Sequence, residues 1–369
     1  MEYKRSTTPP SLPHGRGPTL NLISMATFSK FARLETPVRG VISERDLDII
    51  EAVLRYRFSP TSELVRLVGG NEDVTQRRLR KLWEWQTINR FAFPGIRTHS
   101  EFIYYLDDRR ALEVLSQHGR LTEIHPQMED ELRQNREADY AGAVMRGQHM
   151  KLGFLQHSLM ISRLHFMLEM SARNSAGQLE LIGWRQGAEL RGQKVELPEL
   201  KSKRIEGSND FTWQELEKTA KLPVEPDALF SLRFPGRPAG QELVHFCYEA
   251  DRGSMPMADM LKKLRAYYHF VKRQQRHKQA FGVHPMRAVL IETVDESRAR
   301  RLMELVKLPA VIGESKRSSL FWFAISPLFT AAAPTGPATY LLSPEAILKR
   351  VWALPDLAML SLSDQEIAA

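Results

Sequence analysis

The sequence predicts a mixed α/β protein in two parts: a small helical module carrying a two-stranded ribbon, then a larger domain built on a sheet with flanking helices. Three observations predict it. Between residues 43 and 85 three short stretches carry apolar residues at helical spacing, and two β-like runs follow them. From residue 178 the texture changes to short, continuous apolar runs separated by amphipathic stretches. Two of those runs are flanked by carboxylates, Asp227 before Ala228-Leu229-Phe230 and Glu249-Ala250-Asp251 after a run ending at Tyr248, with Lys262-Lys263 soon after.

The chain has 369 residues, enough for two or three domains that each bury a core. A single cysteine, Cys247, excludes an intramolecular disulfide and a cysteine-built zinc site, which fits a reducing cytoplasm. No run approaches the ~18 apolar residues of a membrane span, and the N-terminus lacks the apolar segment of a secretory signal. A cytoplasmic protein with no membrane partner is expected. The net charge of +8 favours polyanionic partners. Residues 1–40 carry six basic and two acidic groups, and residues 262–278 carry seven Lys or Arg and no acid.

Residues 1–40, rich in Pro, Ser, Thr and Gly, read as a disordered basic tail. Ser43 then caps a helix with Asp46 at its third position, and Leu47, Ile50, Val53 and Leu54 make one face. Ser59-Pro60-Thr61 opens a second, shorter helix ended by Gly69-Gly70. A third begins near Asp73 and runs to about Trp85, with Leu79, Leu82 and Trp83 apolar and Gln76, Arg77, Arg80 and Lys81 on other faces. Residues 87–93 and 102–106 form the ribbon, joined by a turn-rich segment containing Arg97, and a helix follows from Arg109 to Gln117.

Three short helices and a ribbon in this order predict a winged helix-turn-helix over 42–118. Such a fold lays its third helix in the major groove, so Gln76, Arg77, Arg80 and Lys81 are candidate contacts to double-stranded DNA. Arg90 and Arg97 on the ribbon would reach the adjacent backbone or minor groove. A winged module used for protein docking, with these arginines as a solvated face, is the alternative.

Residues 119–139 read as a linker and Tyr140 to Arg173 as a long helical region, together spanning 119–175. His157 and His165 lie about two turns apart on it, and without an acidic third ligand they read as packing or hydrogen-bonding residues rather than a metal site. Strand runs follow at 179–184, 227–232, 242–248 and 288–293, with a charged insert, Glu199 to Leu222, set down as peripheral. Helices are expected at 257–275 and 296–306, an edge strand at 320–323, and a short last helix from Ser343 bearing Leu348 and Trp352. The sheet domain spans 176–325, and 326–369 holds the short helix and a tail.

Phosphodiester cleavage needs an activated water and neutralisation of the charge building on phosphorus, which divalent ions on carboxylates supply. An Asp at one strand end and Glu-x-Lys on the next is the layout of the restriction-endonuclease-like core. Here Asp227 and Glu249 are the candidate metal ligands and Asp251 shares a strand face with Glu249. The second position is Asp rather than Lys, so Lys263, or Lys262 beside it, must take the lysine's role. Glu189 is a candidate extra ligand, though an exposed polar residue is the simpler reading. Mg²⁺ or Mn²⁺ is the ion such a site takes. No Gly-x-x-x-x-Gly-Lys-Ser/Thr loop occurs, so no nucleotide or organic cofactor is expected. The Tyr267-Tyr268 pair reads as half-buried core, because Tyr267 shares a helix with Leu264 and Val271.

Over roughly residues 42–310 the chain resembles the replication-relaxation family of bacterial plasmids and other mobile elements. The residues that carry the resemblance are Tyr104-Tyr105-Leu106, His157-Ser158-Leu159, Trp184 with Glu189, Pro226-Asp227-Ala228, Glu249-Ala250-Asp251-Arg252-Gly253 and Lys263-Leu264-Arg265-Ala266-Tyr267. The resemblance implies a DNA-associated protein of plasmid replication, relaxation or mobilisation, working with other DNA-processing proteins of its element. Because Lys is absent from Glu-x-Lys, the sequence favours a DNA-binding accessory factor over a metal-dependent endonuclease using Asp227, Glu249, Asp251 and Lys263. A transcriptional or copy-number regulator, which would call for a homodimer, is the third reading.

Overall fold

The computed structural model describes residues 40–92, 101–138, 149–204, 211–315, 318–325, 344–349 and 351–364. The tail, the segment that contains Arg97 and the expected helix start at Ser343 lie outside them. Helix α1 (Glu44–Tyr56) begins where the sequence places it. The Ser43 N–H donates to the Asp46 carboxylate at 2.7 Å while the Asp46 N–H donates back to the Ser43 carbonyl at 2.9 Å, so two backbone groups at the helix start find partners. Asp46 is buried and also accepts from Arg78 Nε at 2.6 Å, which ties α1 to helix α3 (Glu72–Glu84).

Between them lie strand β1 (Phe58–Pro60) and helix α2 (Thr61–Val68). Strands β2 (Asn89–Ala92) and β3 (Phe102–Tyr105) complete an antiparallel sheet of order β1-β3-β2. Three residues are too few to show a period, so β1 is invisible before its partner Ile103–Tyr105 is in place. Leu47, Ile50, Leu64, Leu79, Leu82 and Leu112 close one core, the last from helix α4 (Arg110–Gln117).

The expected linker is instead largely a helix, α5 (Pro126–Ala138). It buries Leu132 in that core and Asn135 donates to the Leu106 carbonyl at 2.7 Å. One anchoring residue in an otherwise polar helix leaves no apolar period to read.

Helix α6 (His149–Asn174) joins this module to the large sheet. Ser162 Oγ donates to the Tyr56 carbonyl at 2.8 Å and Arg173 Nη1 to the Leu67 carbonyl at 2.6 Å. Both carbonyls belong to last helical turns, which need outside donors. On α2, Glu63 is buried, and its Oε2 has no hydrogen-bond partner among the described residues. Burial, with Glu101 adding to it, pushes its carboxyl from 4.5 to about 8. The folded chain then holds a proton that the unfolded chain releases near 4.5. Stability is fully present below that pH and falls by about 1.4 kcal/mol per pH unit as pH rises toward 8. Glu63→Gln should reduce the fall of stability measured in urea titrations between pH 5 and 8 by about that amount; an unchanged slope would place the titration elsewhere.

The large sheet runs β12-β11-β10-β9-β8-β7-β4. Its strands are β4 (Glu180–Gln186), β7 (Ala228–Arg233), β8 (Leu243–Asp251), β9 (Met286–Thr293), β10 (Phe321–Ile325), β11 (Trp352–Ala353) and β12 (Met359–Leu360). β8, β9 and β10 are parallel and every other pair is antiparallel. Helix α7 (Met257–Tyr268), its π-helical continuation His269–Arg273 and the short helix α8 (His277–Phe281) carry the chain from β8 to β9. Helices α9 (Glu296–Lys307) and α10 (Pro309–Ile312) carry it from β9 to β10.

Three expectations change here. The run 320–323 is an interior strand, because β11 and β12 add outside it. Trp352 lies on β11, and the last helix is a 3₁₀ turn, Pro344–Leu348. The peripheral insert is a long antiparallel ribbon, β5 (Lys194–Arg204) against β6 (Phe211–Pro223).

Alternation along the strands sends Phe230, Phe246, Tyr248, Leu290 and Trp322 to the α6 face. Leu229, Cys247, Val289, Ile291 and Phe321 go to the face of α7 and α9. No helix among the described residues is long and apolar enough to cross a membrane.

Candidate functional site

The register of β7 and β8 decides where the carboxylates go. Ala228, the first residue of β7, pairs with Tyr248. The Asp227 N–H just before it donates to the Tyr248 carbonyl at 3.0 Å, so the start of β7 lies beside the Tyr248–Glu249 end of β8. Residues 22 positions apart in sequence are thus brought to one end of the β7–β8 pair.

Asp227 Oδ2 accepts from the Ala250 N–H at 2.8 Å and from His157 Nε2 at 3.1 Å. His157 comes from α6, so the site lies where the two faces of the sheet meet at its end. From the other face, α7 delivers Lys263 Nζ to Glu249 Oε2 and the Tyr267 hydroxyl to Glu249 Oε1. Lys263 and Tyr267 are one helical turn apart and therefore share a face.

Electrostatics follow from this packing. Burial would raise the Asp227 carboxyl, but His157, Lys263 and the Ala250 N–H hold it below its ordinary value. Burial pushes Glu249 up to about 7 despite Lys263. Burial alone would lower Lys263, yet Glu249 and Asp227 together keep it above the usual lysine value. His157 is likewise raised, because Asp227 outweighs its burial. The result is an ionised aspartate, a protonated lysine and a glutamate that titrates near neutrality.

Asp251 is held elsewhere. Its Oδ2 accepts from Arg298 Nε at 2.8 Å and Thr293 Oγ1 at 2.9 Å, while Oδ1 accepts from Arg298 Nη2 and the Gly253 N–H, both at 3.1 Å. A buried carboxylate with four donors, two of them from one guanidinium, is a structural anchor. Lys262 pairs with Asp259 at 2.9 Å on an exposed part of α7. Glu189 sits exposed on a 3₁₀ turn, Gly187–Leu190, beside Arg57 and Glu131.

Among the described residues no group of three or more His, Cys, Asp or Glu gathers closely enough to hold a metal. Asp227 and Glu249 remain as a pair of hard oxygen donors. Such a pair suits Mg²⁺ or Mn²⁺, ions that keep several waters and need only one or two carboxylates. Asp227 Oδ1 is engaged by no described residue, whereas Glu249 is free to ligate only when Lys263 moves off it.

On the N-terminal module, Gln76, Arg77, Arg80 and Lys81 are all exposed on α3, and Asp73, Gln76, Arg77 and Arg80 line a shallow depression. Arg77 and Arg80 are lightly tethered, to the Asp73 carbonyl at 3.2 Å and to Glu84 at 2.8 Å. Arg90 differs: its guanidinium lies 3.8 Å from the Trp83 ring centre and 4.1 Å from that of Phe102. It is stacked between rings rather than projecting from the ribbon.

Sequence reasoning left His157 as a packing or hydrogen-bonding residue and Tyr267 as half-buried core, and so missed that each holds one of the carboxylates. Each falls in a motif that carried the family resemblance, and that was the available signal. His165, the other histidine, does pack: its ring stacks on Trp184 at 4.2 Å and 4°, and burial takes it down to about 3.

No curated protein and no solved structure matches the chain significantly. The family model described as replication-relaxation matches residues 52–286, a span that holds α2, α3, the whole of β7 and β8, and every member of the Asp227–Glu249–Lys263 cluster. The chain belongs to the replication-relaxation family.

Proposed function

We propose that this protein binds duplex DNA through α3 and breaks a phosphodiester bond at the Asp227–Glu249–Lys263 cluster, in the replication, relaxation or mobilisation of a plasmid or other mobile element. The element order α1-β1-α2-α3-β2-β3, with sheet order β1-β3-β2, supports a winged helix whose third helix presents Gln76, Arg77, Arg80 and Lys81. The antiparallel run β4-β7-β8 followed by the α7 crossover to parallel β9 supports a restriction-endonuclease-like core. The contact of Lys263 with Glu249 carries the reading. It supplies from a helix the lysine that the strand lacks at residue 251.

In this reading Asp227 and Glu249 would hold a divalent ion, which would supply charge neutralisation at the phosphate and an activated water. Lys263 turns from Glu249 to the phosphate as DNA enters, bringing a positive charge to the oxygens that gain negative charge. His157 and Tyr267 keep the two carboxylates oriented.

A second reading, a DNA-binding accessory factor without catalysis, is favoured by one observation: both Glu249 oxygens already have donors. A regulator would need, beyond this, a dimer interface. Supercoiled plasmid incubated with Mg²⁺ or Mn²⁺ separates the readings. The expected result is nicked circles from the parent and none from Asp227→Ala or Glu249→Ala. Arg77→Ala/Arg80→Ala should weaken binding and flatten the salt dependence by about 0.9 in log–log slope per lost phosphate contact. A lost base contact should instead remove about 1–3 kcal/mol of discrimination. Binding without cleavage, unchanged in the carboxylate variants, would establish the accessory role.

A further inference from the structure

The cations beside Asp251 and Glu249 each have a carboxylate: Lys263 has Glu249 and Arg298 has Asp251. Arg252, between them on the strand end, has none among the described residues. Its one hydrogen bond there is from Nη2 to Ser254 Oγ, at 3.2 Å. Alternation explains where it points. Residues 248 and 250 face α6, so 252 does too.

On α6 the guanidinium lies against Gly153, where any Cβ would collide with it. Gly153 is one turn before His157, whose ring meets Asp227. The seat of the guanidinium is therefore about 6 Å along the helix from the Asp227 contact, a distance comparable to the step between successive phosphates of one strand. The turn that presents Arg252 is braced: Asp251 holds the Gly253 N–H at 3.1 Å, and Gly253 takes φ +75°, where glycine is favoured. An unpaired, half-buried guanidinium on a braced turn is pre-organised to fork onto a phosphate.

We propose that Arg252, seated on Gly153, is a phosphate-binding residue that grips the DNA strand next to the phosphate at Asp227. This rests on the reading of the cluster as the place where DNA is cut. The test measures binding alone, without divalent ions. It uses the full chain carrying Arg77→Ala/Arg80→Ala, so that affinity for a labelled duplex reports on the sheet domain.

Arg252→Gln should weaken binding about tenfold and lower the slope of log affinity against log salt by about 0.9. Arg252→Lys should keep the slope and recover part of the affinity. Gly153→Ala leaves the charge in place and evicts the guanidinium from its seat. It should lose affinity as Arg252→Gln does, with an unchanged or higher Tm because alanine is the better helix former. Parental affinity and slope in both Arg252→Gln and Gly153→Ala, or no duplex binding in the starting chain, would overturn the proposal. If Arg252→Gln lowers the slope but the parent never nicks plasmid, the cleavage reading fails and the phosphate site stands.

Discussion

Arg163→Met is expected to destabilise the protein by about 3–5 kcal/mol, the usual consequence of stripping one partner from a buried ion pair. Arg163 on α6 reaches Glu292 on β9, both side chains almost wholly buried, and Glu292 also accepts from the Tyr248 hydroxyl at 2.6 Å. Removing the guanidinium leaves a carboxylate in an apolar layer, where it must take up a proton or draw in water. Arg163→Met with Glu292→Leu should recover most of the loss, since well-packed apolar residues often replace a buried pair at little cost. Urea unfolding of the two single variants and the double variant gives the coupling directly. A loss under about 1 kcal/mol in Arg163→Met would mean that the pair is solvated in solution.

Lys263→Met is expected to slow the single-turnover step of cleavage by about 10²–10³-fold while duplex affinity stays within about twofold of the parent. The sign of its pH effect is fixed by the site. Lys263 lowers the Glu249 carboxyl, which burial alone would take higher than about 7. Without the lysine, Glu249 ionises at higher pH, so carboxyl NMR of the metal-free protein should show its titration moving up from near 7. For Glu249 itself the folded value lies above the unfolded one. Its contribution to stability is therefore complete below about 4.5 and declines toward pH 7. A Lys263→Met protein that cuts like the parent would remove the lysine from the reaction and return the site to a structural role.

Local sequence determined a good deal of this protein. Ser43 and Asp46 set the start of α1, Leu79, Leu82 and Trp83 set the buried face of α3, and the apolar runs around Phe230, Phe246 and Val289 set three strands of the sheet. These were legible because caps and periods are properties of a few consecutive residues. Asp227, Glu249 and Lys263 were legible as candidates because charges at the ends of apolar runs stand out against their surroundings.

Only the tertiary structure decided which of them meet. Asp227 and Glu249 become neighbours through the β7–β8 register, and Lys263 joins them because the crossover lays α7 on that face. Asp251 has the same spacing and the same face, yet Arg298, 47 residues later, takes its carboxylate. The partner of His157 could not be read from the sequence, because its contact with Asp227 crosses from α6 to the start of β7. A side chain's chemistry is local, whereas its partners, burial and proton affinity are set by whatever distant segment packs against it.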